Sequence, residues 1–157
     1  MALEEAMTVT YEIEIREVPA RRVATIRERV PMTVIGKEMG EGFGEVARGV
    51  EAAGSSIDGM PFAIFHEMDP DEVDLELGFP VSGEVESGRV HGSIEDPSRM
   101  VCTMHVGPYE EVAPAYEALT AWIESHGERP GGPPREVYLN EPSEGVVPIT
   151  EVQMPLA

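Results

Sequence analysis

The sequence is poor in cysteine and in positive charge, and it holds no long apolar run. Cys102 is the only cysteine among 157 residues, which excludes an internal disulfide and any cysteine-based metal cage. Its neighbours Met100 and Val101 are apolar, the setting of a buried, inert thiol. Lys37 is the only lysine, and 11 basic residues stand against 30 acidic ones for a net charge of −19. A field of that sign repels nucleic-acid backbones and anionic lipid, and it favours a cationic ligand. No segment approaches the roughly 18 apolar residues of a membrane span. The start, MALEEAMTVTYEIEI, lacks the basic-then-apolar layout of a signal peptide, so a cytoplasmic protein is expected. His66, His91, His105 and His126 fall in no HxH, HxxxH or HExxH spacing, which removes the usual zinc signatures. The run GEGFG lacks the strand-then-lysine context of a phosphate-binding loop. No metal and no cofactor are expected.

What is present suits one globular domain over residues 1–157, with 41% hydrophobic and 26% charged residues. Alternation of apolar and polar residues predicts strands over 11–18, 21–30, 61–66, 73–81, 89–94, 100–106, 135–140 and 148–155. A helical stripe of Ile35, Met39, Phe43, Val46 and Val50 predicts a helix over 34–53, its first half weakened by glycines. A second helix follows the Gly107-Pro108 break, with Tyr109, Val112, Tyr116 and Leu119 near one stripe and Trp122 close behind.

The two halves repeat. Residues 19–25 match 97–103, residues 61–65 match 134–138 and residues 74–81 match 149–156, three matches in the same order. The repeats span about 8–81 and 88–157, and each reads strand, strand, helix, strand, strand. The expected fold is α+β: a duplicated βαββ unit, an antiparallel sheet with two helices on one face, and a ligand cleft where the halves meet. In this reading Thr103, His105 and Tyr109 stand where the first half has Thr25, Arg27 and Pro31.

Glu136 and Tyr138 are two apart on a strand and share a face. Val137 and Leu139 are expected to pack on the helices, which would put the acid and the phenol on the helix-free face, beside the cleft. The equivalent first-half positions are Ala63 and Phe65, so the carboxylate belongs to one half only. A lone acid among Phe65, Tyr109 and Tyr138 either stays neutral or meets a cation, and aromatic walls around one acid suit an amine or quaternary ligand. The alternative is an ordinary strand glutamate facing water. His105, on the strand before the turn, is a candidate base or a structural histidine. Leu119 and Trp122 read as core, and Tyr109 as either core or pocket wall.

Three groups of residues together resemble the GyrI-like small-molecule-binding family, the effector-binding domain of some AraC-type and MerR-type regulators. They are His105-x-Gly107-Pro108-Tyr109-Glu110-Glu111, then Tyr116-x-x-Leu119-x-x-Trp122, then Glu136-Val137-Tyr138-Leu139-Asn140-Glu141-Pro142. Gly78-Phe79-Pro80-Val81 fits as well. The resemblance implies a SOUL-like fold and binding of lipophilic, often cationic compounds, as in multidrug-binding and toxin-resistance proteins. It maps the pocket acid onto Glu136, with Tyr109, Tyr138, Phe65, Trp122 and His105 as ligand-binding neighbours. Some stand-alone members are similar to hydrolases that open strained cyclopropane rings. That alternative would make Glu136, Tyr138 and Tyr109 catalytic. A third is an interaction protein that protects a partner such as DNA gyrase. The family's usual Asn-Asp-Pro is Asn140-Glu141-Pro142 here. No helix-turn-helix segment precedes the first strand, so no direct contact with nucleic acid and none with a membrane is expected. A monomer or a dimer both remain open.

Overall fold

The computed structural model describes residues 11–140, 143 and 145–157. The chain runs β1 (Glu14–Val18), β2 (Arg21–Pro31), a 3-10 turn (Met32–Val34), α1 (Ile35–Ala52), β3 (Phe62–Met68) and β4 (Glu72–Pro80). It continues through β5 (Glu86–Ser87), β6 (Val90–Glu95), β7 (Ser98–Val106), a 3-10 turn (Tyr109–Glu111), α2 (Ala113–Ser125), β8 (Arg135–Tyr138) and β9 (Ile149–Pro155). Only β5, inside the glycine-rich link between the halves, had no counterpart in the hydropathy pattern.

All strands join one antiparallel sheet in the order β1-β7-β9-β8-β3-β4-β2-β6-β5. β3 and β8 meet at its centre. First-half strands β3, β4 and β2 lie on one side of this seam, and second-half strands β8, β9 and β7 on the other. β1 and β6 cross over, each pairing with a strand of the other half. The ladder also corrects the correspondence read from sequence by one residue. Val23 pairs with Pro80, and Met100 pairs with Pro155, so Thr103 and His105 occupy the ladder positions of Ile26 and Glu28. A short motif does not fix register, and a one-residue slip turns every side chain to the other face.

One row of side chains crosses six strands: Thr103, Val152, Glu136, Ala63, Leu77 and Ile26. Both helices pack on the face this row shares. α1 rests on Ile26, Leu77 and their neighbours, and α2 places Ala115, Leu119 and Ile123 on Val101 and Val152. The glycines of α1 do not interrupt it. Two of them set its seat: a Cβ at Gly42 would lie 2.6 Å from Leu77 Cδ1, and one at Gly49 would lie 2.9 Å from Val90 Cγ2.

The opposite face is also partly dry. Val23, Phe62, Ile64 and Val137 form a small core there. The guanidiniums of Arg21 and Arg135 lie 5.0 and 5.6 Å from the centre of the Phe62 ring. Arg135 Nη2 donates to Glu95 Oε2 at 2.8 Å, although three strands separate β8 from β6. On a flat sheet those strands lie roughly 19 Å apart. The sheet therefore curls away from its helices, and the concave side shelters this core. Cys102 sits on that side, 1% exposed, with burial pushing its thiol up to about 12.

Candidate functional site

The curl overturns the face assigned to the acid. Glu136 and Tyr138 project toward the helices, and Val137 joins the core on the concave side. Both faces of β8 have apolar company, so alternation alone does not tell which one carries helices. In place of the cleft expected on the helix-free face, a cup-like cluster of side chains stands on the helix-bearing face, at the β3–β8 seam.

Glu136 lies at the floor of that cup, 8% exposed, directly across the seam from Ala63. The small alanine leaves room for the longer acid. Tyr116, from α2, donates its hydroxyl to Glu136 Oε2 at 2.5 Å, and Tyr138 donates to Oε1 at 3.0 Å. Burial raises the pKa of Glu136, while the Tyr116 and Tyr138 hydrogen bonds and the nearby His105 pull it back down. Burial, then the adjacent Glu136 charge, raises the pKa of all three tyrosines, 109, 116 and 138. The phenols therefore stay protonated and act as donors. Among the described residues, no basic side chain forms an ion pair with Glu136.

Aromatic rings stand round this floor. Tyr109 meets Tyr138 edge to face at 5.7 Å, and Phe43 of α1 meets Tyr138 at 6.0 Å and Phe79 at 5.7 Å. Tyr109 is placed by the break between β7 and α2. Gly107 has φ of +135°, a conformation that suits glycine, and it turns the chain out of the strand. His105 fixes the same turn: its Nε2 donates to the Pro108 carbonyl at 2.9 Å. A carbonyl only accepts, so Nε2 carries the proton. In the next row along the sheet, His105 and Tyr138 both pair with Thr150.

Of the residues singled out from sequence, the structure brings together Glu136, Tyr138, Tyr109 and His105. Phe65 is buried in the first-half core and flanks Ala63 on the side away from Tyr138. Trp122 is turned elsewhere. It stacks on His126 at 4.0 Å, about 120° round α2 from Tyr116. Tyr116, Phe43 and Phe79 were read as core or not singled out. Tyr116 had a signal, since it shares a helical stripe with Tyr109; Phe43 and Phe79 had none, because they reach the cup only through packing between the halves. Residues 141 and 142 of the altered Asn-Glu-Pro loop lie outside the described residues.

The profile of the GyrI-like small molecule binding domain matches residues 11–157. The chain belongs to the GyrI-like family. Solved structures share the fold. EcmrR, seen in its complex with DNA, superposes with a TM-score of 0.84 at 22% identity, covering 99% of this chain and 60% of EcmrR. The chain thus spans about 60% of the length of that regulator. The EcmrR C-terminal domain gives 0.77 at 22% identity, over 95% of this chain and 99% of that one. SAV2435 bound to tetraphenylphosphonium gives 0.57 at 14% identity, over 93% and 94% of the two chains. No curated protein matches the sequence significantly. No helix among the described residues is long and apolar enough to cross a membrane.

Proposed function

We propose that this GyrI-like domain binds lipophilic cations in the cup, with Glu136 as counter-charge and Tyr109, Tyr116, Tyr138, Phe43 and Phe79 as wall. The observation that carries this reading is the buried Glu136 carboxylate, which meets two phenols and no cation. An uncompensated buried charge costs several kcal/mol. A cation seated against the rings would relieve that cost and gain from their π faces. Phenols on both carboxylate oxygens suit the holding of a charge better than the drawing of a proton from water. Apolar capacity lies close by. Pro134, two residues before Glu136, and Met154, two residues after Val152 on β9, help to line a hollow of about 310 Å³ beside Thr120 and Ile123 of α2. The tetraphenylphosphonium held by SAV2435 is a lipophilic cation bound by a protein of this fold.

Titration with tetraphenylphosphonium tests the reading. At 5 Å and an effective dielectric of 20, two unit charges attract by about 3 kcal/mol. Glu136→Gln is expected to weaken binding at least tenfold. Equal affinity in the two proteins would remove Glu136 from the site.

A further inference from the structure

One buried polar group beside Glu136 has no partner among the described residues. Thr150 is 0% exposed, and its Oγ1 has no hydrogen-bond partner. The ladder puts Thr150 between His105 and Tyr138 and on their face. Its strand neighbour two residues on, Val152, pairs with Glu136. A diagonal position of this kind lies about 7–8 Å from the acid, the separation that a single ligand nitrogen held by both groups would bridge. At the same ladder positions the first half holds Glu28, Leu75 and Phe65, which makes the hydroxyl specific to the half that carries the acid.

A buried hydroxyl without a partner is costly, and the usual resolution is a partner that arrives from outside the chain. His105 directs its Nε2 proton to Pro108. The Thr150 hydroxyl is thus left without a partner among the described residues, with its oxygen free to accept from a ligand N–H. We infer that Thr150 is a specificity-determining residue of the cup, and that the preferred ligands are protonated amines with at least two N–H donors, one for Glu136 and one for Thr150, ahead of fully substituted ammonium or phosphonium ions. This rests on the cation-binding reading above and narrows its ligand class. A quaternary ion satisfies the charge of Glu136 and the rings but leaves the hydroxyl orphaned.

The test is a matched pair of probes with the same apolar body: diphenylbutylamine, protonated at neutral pH with three N–H donors, and diphenylbutyl-trimethylammonium, with none. Calorimetric titration of the intact chain should give about a tenfold preference for the amine, the worth of one satisfied buried hydrogen bond. Thr150→Val, which keeps the shape and removes the hydroxyl, should lower the ratio of the two affinities severalfold, leaving only the preference due to the N–H bond to Glu136. Thr150→Ser should restore it. Equal affinities in the wild type overturn the inference without recourse to variants, and so does a ratio unchanged in Thr150→Val, since the N–H bond to Glu136 alone would then account for the preference. A wild type that binds neither probe refutes the cation-binding reading itself, an outcome distinct from loss of the preference alone.

Discussion

Glu136→Gln should make the protein more stable while it weakens ligand binding. Glutamine has the shape of glutamate, and its amide can still engage both phenols: the oxygen accepts from one, and the nitrogen donates to the other once that hydroxyl turns. Two hydrogen bonds to a charged group become neutral ones, a loss of roughly 1 kcal/mol each. Against this stands the desolvation penalty of a carboxylate that is 8% exposed with no ion-pair partner among the described residues, several kcal/mol in buried sites. The net expectation is a gain of about 1–3 kcal/mol, and each kcal/mol raises Tm by about 2–4 °C in a chain of this size. The sign with pH follows from the raised pKa of Glu136. The folded state holds its proton at pH values where the unfolded chain, near the ordinary 4.5, has released it. Stability therefore falls as pH rises from that ordinary value through the raised one. The difference between variant and wild type should grow as pH rises through the raised pKa and should vanish below the ordinary glutamate range. Thermal melts followed by circular dichroism at a series of pH values measure it. A Glu136→Gln protein that melts below the wild type at neutral pH would show that the acid serves the fold, and the reasoning would fail.

Three further predictions follow from the same geometry. Tyr116→Phe removes the 2.5 Å bond that pulls the Glu136 pKa down, so tetraphenylphosphonium binding, which needs the ionised acid, should be lost at a higher pH than in the wild type as pH is lowered. In Gly78→Ala the new Cβ would lie 2.1 Å from the Ala24 carbonyl oxygen; backbone there cannot yield, and denaturant melts should show a loss of at least about 3 kcal/mol. Trp122→Ala removes a ring stacked on His126, away from the cup, and should lower Tm while tetraphenylphosphonium affinity stays within about twofold.

Much of this is legible in the sequence. Alternation located the strands, because a side-chain period of two is a local property of extended backbone. The apolar stripe located α1, and the Gly107-Pro108 break located the turn that carries Tyr109. The acid Glu136 and the phenol Tyr138 stood out because the matching first-half residues, Ala63 and Phe65, are apolar. Composition alone fixed the absence of disulfides and the negative field. The face of the sheet was not legible. It depends on the curl that brings Arg135 to Glu95 across three intervening strands, and that contact joins residues 40 positions apart in the chain. Nor was the wall of the cup, since Phe43, Phe79 and Tyr116 reach it from three different elements. Side-chain types and their spacing decided which residues were available for a cationic ligand. Only the packing of two helices on one curled sheet decided that the acid would be buried, held by two phenols, and left without a cation of its own.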